Sequence, residues 1–294
     1  MTSANGGGTP SRVNLDATTG SAALARYTVR PYRSNCGTRQ MNASESPTVG
    51  HVFELLNRSR HLPFYSLETR AAPFFAIFLR DVLKARFKTE IQEAVIPEFP
   101  LRIGTLCKDE RNQSYNVDYV AFGKDNRAVY LVELKTDMDS RREAQDEYLA
   151  KARDIDFIDL LEGVRKSAKA SNRKQKYVHL LHRLHLAGFV SKDDALCNLY
   201  ERSFGKVVPG WTEALKGLEF KAQRYSKPKV VFVQPKKGKS DKKKSENHGF
   251  EFIYFEQVAN IVQSRGELGR TFAKYLRRWT EDAGSPHPRC IHRS

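Results

Sequence analysis

The chain lacks any run of about eighteen consecutive apolar residues, so no membrane-spanning helix is expected. It is also poor in cysteine: Cys36, Cys107, Cys197 and Cys290 lie far apart and form no Cys-x-x-Cys pair. That spacing fits reduced thiols, and hence a cytoplasmic setting. No hydrophobic signal-like segment opens the sequence. Acidic residues are in short supply, 34 Asp and Glu against 50 Lys and Arg, which gives a net charge of +16. Such an imbalance attracts polyanions by counterion release and long-range steering. It points to a nucleic-acid partner and does not by itself separate DNA from RNA, or from ribosomal association.

What is present is enough for one sizeable core, or one core with an appended helical unit, in 294 residues that are 40% hydrophobic. Residues 1–48 are rich in Gly, Ser, Thr and Asn without apolar periodicity, and are expected to form a disordered arm. Because this stretch carries Arg and little acid, an organellar transit peptide is the alternative. Residues 283–294 are expected to be a flexible tail.

Two apolar, strand-like runs carry the chemistry: Tyr115-Asn-Val-Asp-Tyr-Val-Ala-Phe122 and Ala128-Val-Tyr-Leu-Val-Glu-Leu-Lys135. Side chains alternate along a strand, so Val129, Leu131, Glu133 and Lys135 share one face. Gly123-Lys-Asp-Asn126 supplies residues that tolerate tight turns. A hairpin loop of two or four residues sets Asp118 opposite Leu131 or opposite Glu133, and either register puts Asp118 on the face of Glu133 and Lys135. An odd loop length would turn Asp118 away. Cross-strand Cβ atoms lie roughly 5 Å apart directly and about 7–8 Å diagonally, close enough for two carboxylates to share one hard cation. Mg²⁺ takes oxygen ligands, usually one or two carboxylates with water and substrate phosphate. A lysine two residues along can orient the attacking water and offset the charge that develops. The competing reading is an exposed Glu133–Lys135 ion pair beside a chance Asp118, a common and weak surface feature. The apolar Val129 and Leu131 on the same face argue against it.

Val117-Asp118 followed by Glu133-Leu134-Lys135 resembles the PD-(D/E)XK nuclease superfamily, with Val117 in place of the nominal proline. The resemblance implies an α/β, restriction-endonuclease-like fold: a central mixed sheet flanked by helices, with an αβββαβ core. It implies Mg²⁺- or Mn²⁺-dependent hydrolysis of phosphodiester bonds, with DNA taken over RNA as substrate. In that scheme Asp118 and Glu133 bind metal with help from the Leu134 carbonyl, and Lys135 orients water. Gln145 and Tyr148, one turn apart on a helix after the catalytic lysine, look like the Gln-x-x-Tyr helix of the helicase-associated and phage exonuclease branches, where both line the site. The helix cap is expected at Ser140 or a neighbouring Asp. An upstream helix, Leu67 to Arg86, is expected to offer Glu68 as a further ligand, with Pro73 kinking it or marking its start. A solvated helix-start carboxylate is the plainer reading of Glu68. Glu98, between two prolines before the first strand, is the second candidate.

Residues 49–282 are therefore expected to form the nuclease-like domain, with a helical insertion over about 172–225. Lys229 to Gln234 and Phe250 to Phe255 read as the late strands, and about 256–280 as a closing helix with a basic-aromatic end, Lys274 to Trp279. His179, His182 and His185 recur every three residues; without Cys or acidic partners at ligand spacing, a solvated or nucleic-acid-facing edge is preferred to zinc. The segment 235–248 is expected to be a basic loop in which Lys236, Lys237, Lys239, Lys242, Lys243 and Lys244 contact phosphates. Two rivals to the nuclease stand beside it: a catalytically inactive nucleic-acid-binding protein of the same fold, and a protein whose basic surface meets an acidic partner.

Overall fold

The computed structural model describes residues 48–125, 127–138, 141–191, 194–202, 210–222 and 225–282. The expected arm apart from Thr48, the expected tail, Cys36, Cys290, Ser140 and Asn126 lie outside them. In chain order the elements are α1 (Val49–Ser59), α2 (Leu67–Phe87), β1 (Ile96–Arg102), α3 (Ile103–Leu106), β2 (Ser114–Phe122), β3 (Val129–Leu134), α4 (Glu143–Arg153), α5 (Phe157–Ala170), α6 (Lys174–Leu186), α7 (Asp194–Arg202), α8 (Trp211–Gly217), β4 (Lys229–Gln234), α9 (Asp241–His248), β5 (Glu251–Tyr254), α10 (Phe255–Val262) and α11 (Gly266–Asp282).

The fold is mixed α/β. Five strands form one sheet in the order β1-β2-β3-β4-β5. The β1–β2 and β2–β3 pairs are antiparallel, whereas β3–β4 and β4–β5 are parallel. The parallel pairs need crossovers, which is why β3 is followed by five helices before β4. β3 is buried at every position. That follows from helices covering both faces of the sheet, which favours continuous apolar runs over alternation.

Two apolar layers result. Leu131, Val120, Phe122 and Phe232 pack with Leu149, Phe157, Leu161 and Leu181 of α4–α6. On the other face, Tyr130, Val132 and Val231 pack with Phe75, Leu79 and Leu83 of α2, and with Phe255 and Phe272 of α10 and α11. Each fully buried Leu, Val or Phe contributes about 1.5–3 kcal/mol, so these layers fix the strand ends where polar side chains meet.

Several expectations are corrected. α2 begins at Leu67, where Ser66 accepts the Thr69 N–H (3.3 Å), and it runs through Pro73 without a break. The expected closing helix is two, α10 and α11, parted near Gly266, whose φ of +71° is one L side chains rarely adopt. The basic-aromatic end of α11 is core: Trp279 and Tyr275 are buried against Phe53, with centroids 6.4 and 5.4 Å away. The basic segment is only partly a loop, because Asp241–His248 is helical. The helical insertion stands as α6, α7 and α8. No helix among the described residues is long and apolar enough to cross a membrane. Cys107 and Cys197 are free thiols.

Candidate active site

The β2–β3 hairpin has an even loop. Phe122 pairs with Val129 and the Gly123 N–H donates to the Ala128 carbonyl (2.7 Å), which leaves residues 124–127 as a four-residue connection. Continued past Tyr119–Val132, this register sets Asp118 directly across from Glu133. The Asp118 carboxylate accepts the Leu134 N–H at 2.6 Å. Beyond it, the Lys135 N–H pairs with the Val233 carbonyl (2.8 Å), so the lysine leaves the sheet at its buried edge.

Period two holds along β3. Lys135 Nζ donates to Glu133 Oε1 at 2.7 Å, and both residues are buried, at 5% and 2% exposure. A surface ion pair is thereby excluded. Glu68, in the first turn of α2, reaches in from the opposite helical layer and lies 3.6 Å from Lys135 Nζ. One carboxylate oxygen each from Glu68, Asp118 and Glu133 lies within 4.8 Å of the others. Oxygens bound to one Mg²⁺ at about 2.1 Å are roughly 3–4 Å apart, so small side-chain movements would close this set on an ion. The all-oxygen donors suit a hard divalent cation.

Electrostatics agree with that geometry. Burial raises the Glu68 carboxyl to about 7, with the Lys135 charge opposing and Glu133 adding to the rise. Burial and the Glu133 charge push Asp118 up to about 8, against the pull of the Leu134 N–H. Glu133 is raised by burial, an effect that Lys135, Tyr115 and Gln145 counter. Burial would lower Lys135, but Glu133 and Glu68 outweigh it and hold the ammonium above its ordinary value. Three carboxyls facing one lysine are a surplus of negative charge that protons or a divalent cation can neutralise.

The helix after Lys135 brings Gln145 to the carboxylate cluster. Gln145 Nε2 donates to Glu133 Oε1 and to the Tyr115 hydroxyl. Tyr148 stacks on Tyr115 with ring centroids 6.2 Å apart. The helix starts at Glu143 behind Arg142, which makes no side-chain cap, so the capping expectation is not met within the described residues.

Tyr115 is a site residue that the sequence reading missed. Its hydroxyl donates to Glu133 Oε2 at 2.7 Å. Strict alternation puts Tyr115 on the face away from Asp118, yet it packs with Val117, Val120 and Phe122 in one layer. The alternation therefore slips near Asp118, where its cross-strand neighbour Glu98 has a φ of +50°. That backbone turns Glu98 outward, exposed on edge strand β1 and outside the carboxylate cluster; of the two upstream candidates, Glu68 joins it.

A second missed group braces the basic segment. The Arg141 guanidinium donates to both Asp146 oxygens (2.9 and 3.1 Å) and to Asp241 (3.4 Å), and lies 4.0 Å from the Phe232 ring centre. Asp241, buried, also accepts from Gln234 Nε2 (2.8 Å) and the Gly238 N–H (2.7 Å). Lys244 pairs with Asp146, so it is structural and is withdrawn from the phosphate-contact set. Lys237, Lys239, Lys242 and Lys243 are exposed, Lys236 is half-buried, and Lys239 shares a cavity of about 210 Å³ with Lys135. The three histidines do not gather as ligands. His182 stacks flat on Tyr200 at 3.6 Å, and His185 Nδ1 is 3.2 Å from the Val190 carbonyl. Among the described residues, Glu68, Asp118 and Glu133 form the only cluster suited to a metal. No family model, curated protein or solved structure matches the chain, so the reading of this site rests on its own geometry.

Proposed function

We propose that this chain is a metal-dependent nuclease with a restriction-endonuclease-like core, cutting phosphodiester bonds in DNA in preference to RNA. The observation that carries the proposal is the convergence of Glu68, Asp118 and Glu133 within 4.8 Å around a buried lysine. The three carboxylates, with the Leu134 carbonyl, would hold Mg²⁺ or Mn²⁺. Such an ion polarises the phosphoryl group and acidifies bound water. Lys135 orients the attacking water and balances charge at the transferred phosphoryl. Gln145 and Tyr115 fix the Glu133 carboxylate by hydrogen bonds to its two oxygens, and Tyr148 buttresses Tyr115. Lys239 and the exposed lysines of the basic segment hold flanking phosphates. The sparse, separated cysteines favour a cytoplasmic setting.

The test is cleavage of linear, circular and single-stranded nucleic acids with Mg²⁺ and with EDTA. Asp118→Ala and Lys135→Ala are each expected to abolish Mg²⁺-dependent cleavage and leave nucleic-acid binding largely intact; full activity in either variant refutes the assignment. The second reading, a binding protein with a silent site, is favoured by the ion pairs that Lys135 already makes with Glu133 and Glu68. It predicts binding without cleavage under every divalent metal.

A further inference from the structure

A groove of about 580 Å³ lies between edge strand β1 and α6. Its β1 wall lies beside the strand position of Asp118. Asn116, on its wall, is two residues before Asp118, and Glu98, its one carboxylate, is the cross-strand neighbour of Asp118. Neighbouring strands lie about 4.8 Å apart, so the β1 wall of the groove runs one strand spacing from the Asp118 backbone.

Its opposite wall is cationic. Arg173, Lys176 and Arg183 are exposed there, and none of them forms an ion pair with an acid among the described residues. α6 has no acidic residue in its thirteen. Tyr177 stands between the cations, and Pro97 and Pro100 give the β1 side an apolar surface. Unpaired cations interleaved with an aromatic ring above an apolar floor suit a nucleic-acid strand whose bases are unstacked from a partner. A duplex presents its phosphates on a convex surface with the bases turned inward, and has no use for such a floor.

We propose that this groove binds an unpaired nucleic-acid strand and guides it to the carboxylate cluster, with Arg173, Lys176 and Arg183 on the phosphates and Tyr177 against a base. The proposal rests on the nucleic-acid half of the functional reading and does not require that the site be active.

The test measures binding of a short labelled single strand, and of the matching duplex, over a salt series in EDTA. The proteins are the wild type, Arg173→Gln/Lys176→Gln/Arg183→Gln, and an equal-charge control on the other sheet face, Lys88→Gln/Arg270→Gln/Lys274→Gln. Each phosphate contact on a single strand adds roughly 0.7 to the slope of log affinity against log salt. The groove variant is therefore expected to lose about 2 from the single-strand slope, with a smaller loss on duplex and little change in the control. An unchanged slope, an equal loss in the control, equal losses on both substrates, or no binding by the wild type each overturns the proposal. Cleavage in Mg²⁺ is scored separately: a wild type that never cuts but loses strand binding in the groove variant overturns the nuclease and leaves the groove standing.

Discussion

Asp118→Asn should destroy metal binding and at the same time stabilise the metal-free fold. The Asp118 carboxyl is pushed up to about 8, by burial first and then by the Glu133 and Glu68 charges. In the unfolded chain it titrates near 3.9. Between these values the folded chain keeps a proton that the unfolded chain has lost, so this group's contribution is fully present below about pH 4 and is lost as pH rises through about 8. Each pH unit across the window costs about 1.4 kcal/mol. Relaxation and water entry reduce the total to an expected 2–4 kcal/mol or so near neutral pH and above. Asparagine has the same shape, and its Oδ1 can still accept the Leu134 N–H that Asp118 accepts at 2.6 Å. Only the charge is removed. Thermal unfolding in EDTA should give the variant a Tm about 4–16 °C higher near pH 8, from roughly 2–4 °C per kcal/mol for a domain of this size. The difference should vanish near pH 4, where both side chains are neutral, and millimolar Mg²⁺ should raise the wild type alone. Equal stability at the alkaline end, or a difference that does not change with pH, refutes the account of a repelled buried carboxylate.

Tyr115→Phe removes one donor from Glu133 and leaves the stacking on Tyr148; cleavage and metal affinity should fall about 10–100-fold, measured by kinetics and titration calorimetry. Arg141→Leu leaves Asp146 and Asp241 buried without their guanidinium, and urea unfolding should show a loss of about 3–5 kcal/mol. Mg²⁺ binding should release protons and tighten as pH rises from 6 to 8, because the Glu68 and Asp118 carboxyls must give up protons held to about 7 and about 8; calorimetry in buffers of different ionisation enthalpy measures that release.

Much of the site was legible because β3 is a regular strand. Period two alone brings Glu133 and Lys135 together, and an even loop leaves only two registers, both of which keep Asp118 on their face. Tyr115 was not legible: the slip near Asp118 is imposed by the Glu98 backbone and the packing of β1, and no local pattern announces it. The choice between Glu68 and Glu98 was likewise tertiary, since it depends on where the α2 N-terminus docks against the strand ends. α9 escaped detection because Asp-Lys-Lys-Lys-Ser-Glu-Asn-His has no apolar stripe. Its stability comes instead from the buried Asp241 and from Lys244 on Asp146. The break between α10 and α11 was signalled by Gly266, but the apolar positions on either side continue at helical spacing and hide it.

The metal-free arrangement also constrains how the proposed site would take a cation. Glu133 Oε1 already accepts Lys135 Nζ and Gln145 Nε2, and Oε2 accepts the Tyr115 hydroxyl. A carboxylate has about four acceptor sites, so one stays open on Oε2, whereas Oε1 can meet a cation only if one of its donors gives way. Gln145 and Tyr115 are neutral and held in place by α4 and by stacking on Tyr148, so displacing either would leave a buried dipole unpaired. Lys135 is the donor whose release would be compensated, because a bound divalent charge would take over its role beside Glu133 and Glu68. Freed from Glu133, its ammonium would be a mobile cation at the buried strand end, in the cavity it shares with Lys239. The lysine that pairs with the carboxylates in the empty cluster would thus be the group made available on metal binding. That exchange is why Lys135→Ala should cost cleavage more than it costs metal affinity.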